Sequence, residues 1–553
     1  MSVEKLIVDH METWTSALQT RSTAGRGSSG KIDLYGIKKL RELILELAVR
    51  GKLVPQDPND EPASDLLKRI AAEKAELVKQ GKIKKQKPLP EISEEEKPFE
   101  LPEGWEWVHL PDIYCSISES SRKIKSSEIL PEGKYPVIEQ SQEFISGYCN
   151  NECLLIKLNN PVIVFGDHTR NIKFIDFDFV VGADGVKILS PILICERFFF
   201  WQLRSFKLDV RGYARHFKVL NSCLFAFPPI AEQERIVEKV SSLMSLCDQL
   251  EQQSLTSLDA HQQLVETLLG TLTDSQNTAE LAENWARISE HFDTLFTTEA
   301  SVDALKQTIL QLAVMGKLVP QDPNDEPASE LLKRIAQEKA QLVKEGKIKK
   351  QKPLPPISDE EKPFELPEGW EWYRIGNIVN IKSELVSPKD YLNLYQVAPD
   401  IIEKGTGRVI SKRTVKESGV KGPNSRFYKG QIVYSKIRPS LSKVFLAEYN
   451  GLCSADMYPL DCYINPNYLL KYILSIPFLM QVKKAENRIK MPKLNSDSFY
   501  NIIVAIPPYN EQQAIFDKIN SIEAVCNGLI SYIGIYHKTQ LHLADALTDA
   551  AIN

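Results

Sequence analysis

The sequence predicts an α+β fold: two mixed α/β globular domains joined by long antiparallel coiled-coil helices in a pseudo-twofold circular arrangement. Three observations carry this expectation. Residues 44–107 recur at 309–372 with a constant offset of 265 and 56 identities in 64 positions. After each Pro-Pro-x-x-Glu-Gln run, apolar residues step at an average of 3.5 residues, the period of a helix seam. The blocks between the repeats, 108–227 and 373–506, hold short β-type runs broken by Gly, Asn, Asp and Pro, and share almost no alignable sequence.

Taken in chain order, the first frame (1–107) carries a helix with Leu40, Leu43, Ile44 and Leu47 on one face, ending at Gly51 as helix C-termini do. An amphipathic helix (64–79), a basic run from Lys79 to Lys87 and a Pro/Glu-rich stretch then lead to Leu101-Pro-Glu-Gly-Trp-Glu-Trp107. The two tryptophans are expected to pack at the entrance of the insert. The first insert (108–227) shows β-type runs at 161–165 and 177–181. The central segment (228–372) opens with Pro228-Pro-Ile-Ala-Glu-Gln233 and a seam through Ile236, Val240, Leu243 and Leu250. A helix over 231–269 would be about 58 Å long, a spacer on the scale of DNA helical turns. The second insert (373–506) carries a β-type run at 431–434 and a helical stretch at 467–474. The last segment (507–553) repeats the seam through Ile515, Ile519, Ile522 and Leu529. Asp9–Thr13 resembles Glu290–Thr294, and the two chain ends together amount to 154 residues against 145 in the central segment. The ends are thus expected to rebuild a second copy of that segment.

With 553 residues, 43% of them apolar, the chain can bury a large core and hold several domains. No apolar run approaches the roughly 18 residues of a membrane span, and the start has no signal core. The nine cysteines lack CxxC pairs, so a reducing cytoplasm is expected and no metal site. The net charge of -5 argues against nucleic acid only until it is mapped. Block 108–227 carries +1, block 373–506 carries +10, and the remaining 299 residues carry -16. A basic domain interleaved with Tyr and Phe, set on an acidic helical frame, suits phosphate neutralisation and base-edge reading; a merely solvated surface is the plainer alternative.

Nothing in the sequence looks catalytic. Gly25-Arg-Gly-Ser-Ser-Gly-Lys31 fits two phosphate-loop patterns, but a polar stretch precedes it and Ile32 stands where a hydroxyl would hold magnesium, so it reads as a linker. Ile506-Pro-Pro-Tyr509 resembles the loop with which adenine N6-methyltransferases hold a flipped amine, yet Ile506 replaces the required Asn. The pattern from Pro399-Asp400 to Glu403-x-Gly405 lacks the final Lys of a nuclease motif.

The candidate DNA-binding residues cluster at strand ends. Gly166-Asp-His-Thr-Arg170 should form a tight loop offering His168, Thr169 and Arg170; Asp167 reads equally as a turn residue or a base contact. In the second insert, Lys436, Arg438, Ser440 and Lys443 place donors after a strand, and Arg426 lies among aromatics. Arg211, Arg215 and His216 in one insert, and Arg488, Lys490 and Lys493 in the other, occupy equivalent places shortly before the Pro-Pro helix.

The frame–insert–frame–insert order, with its Pro-Pro-x-x-Glu-Gln helix starts, Leu-Pro-Glu-Gly-Trp-Glu-Trp entrances and the Gly166–Arg170 and Ser435–Lys443 loops, resembles the specificity subunit of type I restriction–modification enzymes over essentially the whole chain, most like the IB subfamily. The resemblance implies two target recognition domains reading the halves of a bipartite, asymmetric DNA site, with the helices setting the gap. It implies a non-catalytic chain that binds no cofactor and docks two methyltransferase subunits and restriction/motor subunits. S-adenosylmethionine, ATP and magnesium would belong to those partners. The competing expectation is a coiled-coil adaptor whose inserts bind proteins.

Overall fold

The structure, a computed structural model, describes residues 3–21, 31–117, 123–182, 185–208, 215–486 and 492–552. It divides into two compact units, one of Met1–Ser257 with Tyr536–Asn553 and one of Leu258–Ile535. Both divisions fall inside the two longest helices, Ile230–Asp274 and Tyr509–Ile552, of 45 and 44 residues. At 1.5 Å per residue each is about 66–68 Å long, longer than the sequence pattern suggested.

Each unit combines a helical frame with one insert, and the first unit is closed by the far end of the chain. Tyr35 Oη donates to Asp545 Oδ1 at 2.7 Å, and Lys52 Nζ donates to the Ile552 carbonyl at 2.7 Å. In the second unit the repeat-equivalent Lys317 Nζ donates to the carbonyls of Thr273 and Ser275 at 2.9 and 2.8 Å. The frame helix Tyr35–Val49 ends in a Schellman turn, with Lys52 N to Leu47 O at 2.9 Å and Gly51 at φ +66°. A Cβ on Gly51 would also lie 2.4 Å from Pro102 Cγ, so glycine is needed twice over. Glu299–Val314 ends identically at Gly316.

Three repeated motifs meet in each unit at one buried carboxylate. Glu232 accepts from Trp105 Nε1 at 2.8 Å and from Gln56 Nε2 at 3.1 Å; Glu511 accepts from Trp370 Nε1 at 2.9 Å and Gln321 Nε2 at 3.2 Å. The following glutamine, Gln233 or Gln512, is fully buried. Its amide nitrogen donates to the Pro228 or Pro507 carbonyl, and its oxygen accepts from the backbone N of Cys195 or Asn465 in the insert. The frame, the insert's entrance and the helix start are thereby fastened together. Burial raises the Glu232 and Glu511 carboxyls above the usual carboxylate range, while the Trp and Gln donors pull the other way.

Along the long helices, Ile236, Val240, Leu243, Leu250, Ile515 and Ile519 are buried, and Ile522 and Leu529 half-buried. The buried row then leaves the strict 3.5-residue step. Val265 and Leu269 are buried where the heptad falls on Leu264 and Leu268, and Ala544 and Thr548 where it falls on Leu543 and Leu547. The reason is helix geometry: a 3.6-residue helix drifts about 20° per heptad, close to one residue over four heptads.

The inserts share a strand order that their sequences hide. One four-stranded antiparallel sheet runs Tyr114–Ile117, Val186–Pro191, Val162–Gly166, Ile172–Ile175 in the first, and Val379–Ile381, Met457–Cys462, Ile432–Ser435, Val444–Leu446 in the second. In the other sheet, Phe179–Val181 lies between a parallel neighbour, Tyr135–Ile138, and an antiparallel one, Leu155–Ile156. Gly451–Ser454 lies in the same way between Tyr395–Val397 and Asn424–Phe427. Only the fourth strand differs: Gly147–Cys149 extends one edge in the first insert, Glu384–Val386 the opposite edge in the second. Each insert is closed by pairing of its first and last strands, Glu106–His109 with Leu224–Phe227 and Glu371–Arg374 with Ile503–Ile506.

Trp105→Phe is expected to cost about 1–3 kcal/mol, because Glu232 stays buried with one donor fewer. Trp370→Phe should behave alike, and the double variant should lose the sum, since the two sites share no partner. The indole favours the ionised carboxyl, so its removal raises the folded-state pKa further and the deficit grows as pH rises through that titration. Denaturation midpoints across pH check all three.

Candidate nucleic-acid interface

In the first insert the loop after Val162–Gly166 is built on Asp167, which is buried. Asp167 N donates to the Gly185 carbonyl at 2.7 Å, its own carbonyl accepts from His216 N at 2.8 Å, and Oδ1 accepts from Phe217 N at 2.8 Å. The two readings of Asp167 thus resolve in favour of the turn. Gln140, which no sequence motif marks, braces the same loop: its Oε1 accepts from His168 N at 3.1 Å and its carbonyl from Thr169 Oγ1 at 2.5 Å and Asn171 Nδ2 at 2.9 Å. Arg170 sits at φ +62° and donates from Nη1 to the Leu208 carbonyl at 2.7 Å. A guanidinium has five donors, so others remain for a ligand. Beside it lies a cleft of about 520 Å³ lined by Arg170, Asn171, Lys173, Arg204, Phe144 and Phe206.

Sequence-distant clusters are brought together here, as Asp167 joins the 166–170 loop to His216. His216 itself is a correction. It is 1% exposed with Nδ1 3.1 Å from the Asp167 carbonyl oxygen, so it supports the loop from inside and presents nothing to DNA. Arg215 is exposed. Arg211, Arg488 and Lys490 lie outside the described residues.

In the second insert the Ser435–Lys443 segment does not alternate as an extended chain would. Arg438 and Ser442 both take left-handed φ of +46°, flanking the short turn Pro439–Leu441. Lys436 Nζ therefore turns back to the Ala455 carbonyl at 2.9 Å, and Lys443 Nζ donates to the Pro399 carbonyl. Arg438 is exposed, and among the described residues no side-chain partner holds its guanidinium. Its backbone N donates to the Pro492 carbonyl at 2.9 Å, and Leu494 N donates to the Lys436 carbonyl at 2.9 Å, so the 492–494 segment lies against this loop. Lys493 pairs with Asp456 at 3.3 Å. Ser440 is half-buried, its backbone N donating to Glu486 Oε1 at 3.1 Å. Arg426 is in a separate cluster on the other sheet, 3.7 Å from Glu384 and stacked near Tyr391 and Tyr428.

Both inserts thus carry a strand-end loop holding left-handed arginine, Arg170 or Arg438, tied to a later segment close to the frame helix. The family model described as "Type I restriction modification DNA specificity domain" matches residues 102–260 and 367–533, each stretch holding one insert. The chain belongs to the type I restriction–modification specificity subunits. As such it is the DNA sequence-recognition subunit of its system, with two recognition domains. It is 51% identical to the type I restriction enzyme EcoAI specificity subunit and 49% identical to the EcoEI specificity subunit, both of Escherichia coli, over all of this chain and all of each relative. The crystal structure of the HsdS subunit from Thermoanaerobacter tengcongensis aligns with 83% of this chain and 98% of its own at 15% identity and a TM-score of 0.36. Among the described residues no helix is long and apolar enough to cross a membrane.

Asp167→Ala should destabilise the first recognition domain by about 1–3 kcal/mol, because Phe217 N–H loses its acceptor, and Asp167→Asn, which keeps an acceptor oxygen, by less. Urea denaturation of the two variants against the parent checks the order.

Proposed function

We propose that this subunit reads the two halves of a bipartite, asymmetric DNA site with its two inserts and leaves the chemistry to other subunits. The observation that carries the reading is the shared strand order and shared loop placement beneath unalignable sequence. A common scaffold with different side chains at its reading loops is what two unlike half-sites require. Net charge fits the reading in the second insert, at +10. The first, at +1, relies on local groups such as Arg170 and on partners that hold the duplex.

In this reading Ile230–Asp274 and Tyr509–Ile552 pair as an antiparallel coiled coil that sets the gap between half-sites, and the near-identical frames form a pseudo-twofold pair of surfaces for two methyltransferase subunits. Restriction/motor subunits join that assembly in the cytoplasm. S-adenosylmethionine serves the methyltransferase, and ATP with magnesium the motor. The 56 identities in 64 frame positions support equal partners on both sides, and the long N-terminal segment and the repeated frame favour the IB subfamily. Ile506 ends a buried strand, and the Pro507 carbonyl is committed to Gln512, so the Pro-Pro-Tyr run serves as a helix start. The adaptor alternative gives no reason for a +10 insert with an exposed Arg438.

Exchanging residues 108–227 for another recognition domain should change one half of the recognised site and leave the other; a change in both or neither contradicts the modular reading. Arg438→Ala should weaken binding by about 1–3 kcal/mol and relax one base position if it reads a base. A competition assay over single-base variants of the second half measures it.

A further inference from the structure

The second insert holds an element that the first lacks. Twenty-six residues, 398–423, join Tyr395–Val397 to Asn424–Phe427, against 16, 139–154, at the equivalent place in the first insert. Part of the longer connection is a β-hairpin. Ile402 bridges Val409 antiparallel, Glu403 N donates to the Arg408 carbonyl at 2.9 Å, and Ile410 N donates to the Ile401 carbonyl at 2.9 Å. Its base is sunk in the core by Ile401 and Ile402. Its tip is Lys404-Gly-Thr-Gly-Arg408, bent tightly by Gly405 at φ +72° and Gly407 at φ +77°.

The hairpin stands against the reading loop. Gly405 N donates to the Ser442 carbonyl at 3.4 Å, and Lys443 Nζ holds the Pro399 carbonyl at its base. The neighbouring cations are already engaged: Arg413 with Asp400 at 3.0 Å, and Lys412 over the rings of Tyr395 and Tyr449. Lys404 and Arg408 are exposed, and among the described residues neither has an ion-pair partner. Two exposed cations on a glycine-bent tip beside a base-reading loop suit the phosphate backbone, because such contacts need charge and position but no base-edge pattern.

We infer that the 402–409 hairpin is a second DNA-contacting element of this insert, in which Lys404 and Arg408 neutralise phosphates flanking the base pairs met by the Arg438 loop. The inference rests on the DNA-reading function proposed above.

The test measures DNA affinity against salt for the full chain assembled with its methyltransferase subunits, on a duplex carrying the recognised site and on one with the second half scrambled. Removing two phosphate contacts should make the slope of log K on log salt shallower by about 2, at roughly 0.9 per phosphate. Lys404→Ala/Arg408→Ala should show that change with a similar loss of affinity on both duplexes, and Arg408→Lys should stay near the parent. Arg438→Ala, run alongside, should lose affinity mainly on the true site. An unchanged slope in the hairpin variant, with Arg438→Ala impaired, overturns the hairpin's role and leaves the DNA-reading function standing. If both variants bind as the parent does, the hairpin assignment falls together with that of Arg438, and the DNA-reading function falls too if the parent binds both duplexes alike. A loss confined to one base position would make Arg408 a base reader and overturn the phosphate assignment.

Discussion

A buried carboxylate fastens each half of this molecule. Glu232 and Glu511 lie at the start of the two longest helices, and each takes an indole N–H from the entrance of an insert and an amide N–H from the turn after a frame helix. Burying a carboxylate is costly unless donors meet it, and here the two donors come from stretches of chain distant from the carboxylate and from each other. Each recognition domain is therefore held at both ends against a fixed frame, through Trp105 or Trp370 on entering and Gln233 or Gln512 on leaving. The repeated Trp, Gln and Pro-Pro-x-x-Glu-Gln motifs are the parts of this joint.

That constraint leaves the inserts free to vary where they read. Both keep the same strand order, and both end one strand in a loop whose arginine takes a left-handed conformation. A left-handed non-glycine residue costs energy and persists only where its surroundings hold it. Gly166 and the Leu208 carbonyl hold Arg170, and the Pro492 carbonyl holds Arg438. The side chains on these loops differ, and so does the electrostatic setting: one insert is nearly neutral, the other strongly basic.

Much of the fold was legible in the sequence because the repeat is written in residues that must touch. The offset of 265, the glycine helix ends and the Pro-Pro starts all correspond to contacts. The strand order was hidden, since alternating apolar residues set which face is buried but not which strand lies beside which. The heptad step drifted because the helices follow their own 3.6-residue turn. Of the site, the positions of the loops were legible and the directions of side chains were not. His216 and Lys443 carry the same local chemistry as Arg215 and Arg438, yet a carbonyl elsewhere in the chain claims each of the first two. The hairpin carries no local signal of its place, since only the fold brings Gly405 against Ser442.

Methylation-site mapping shows whether the two recognition domains read independently. DNA would be taken from cells carrying this gene with its methyltransferase gene, and every modified adenine located. One split motif is expected: two different defined parts separated by an unspecified run of fixed length. A single uninterrupted motif, or two identical half-sites, would contradict it.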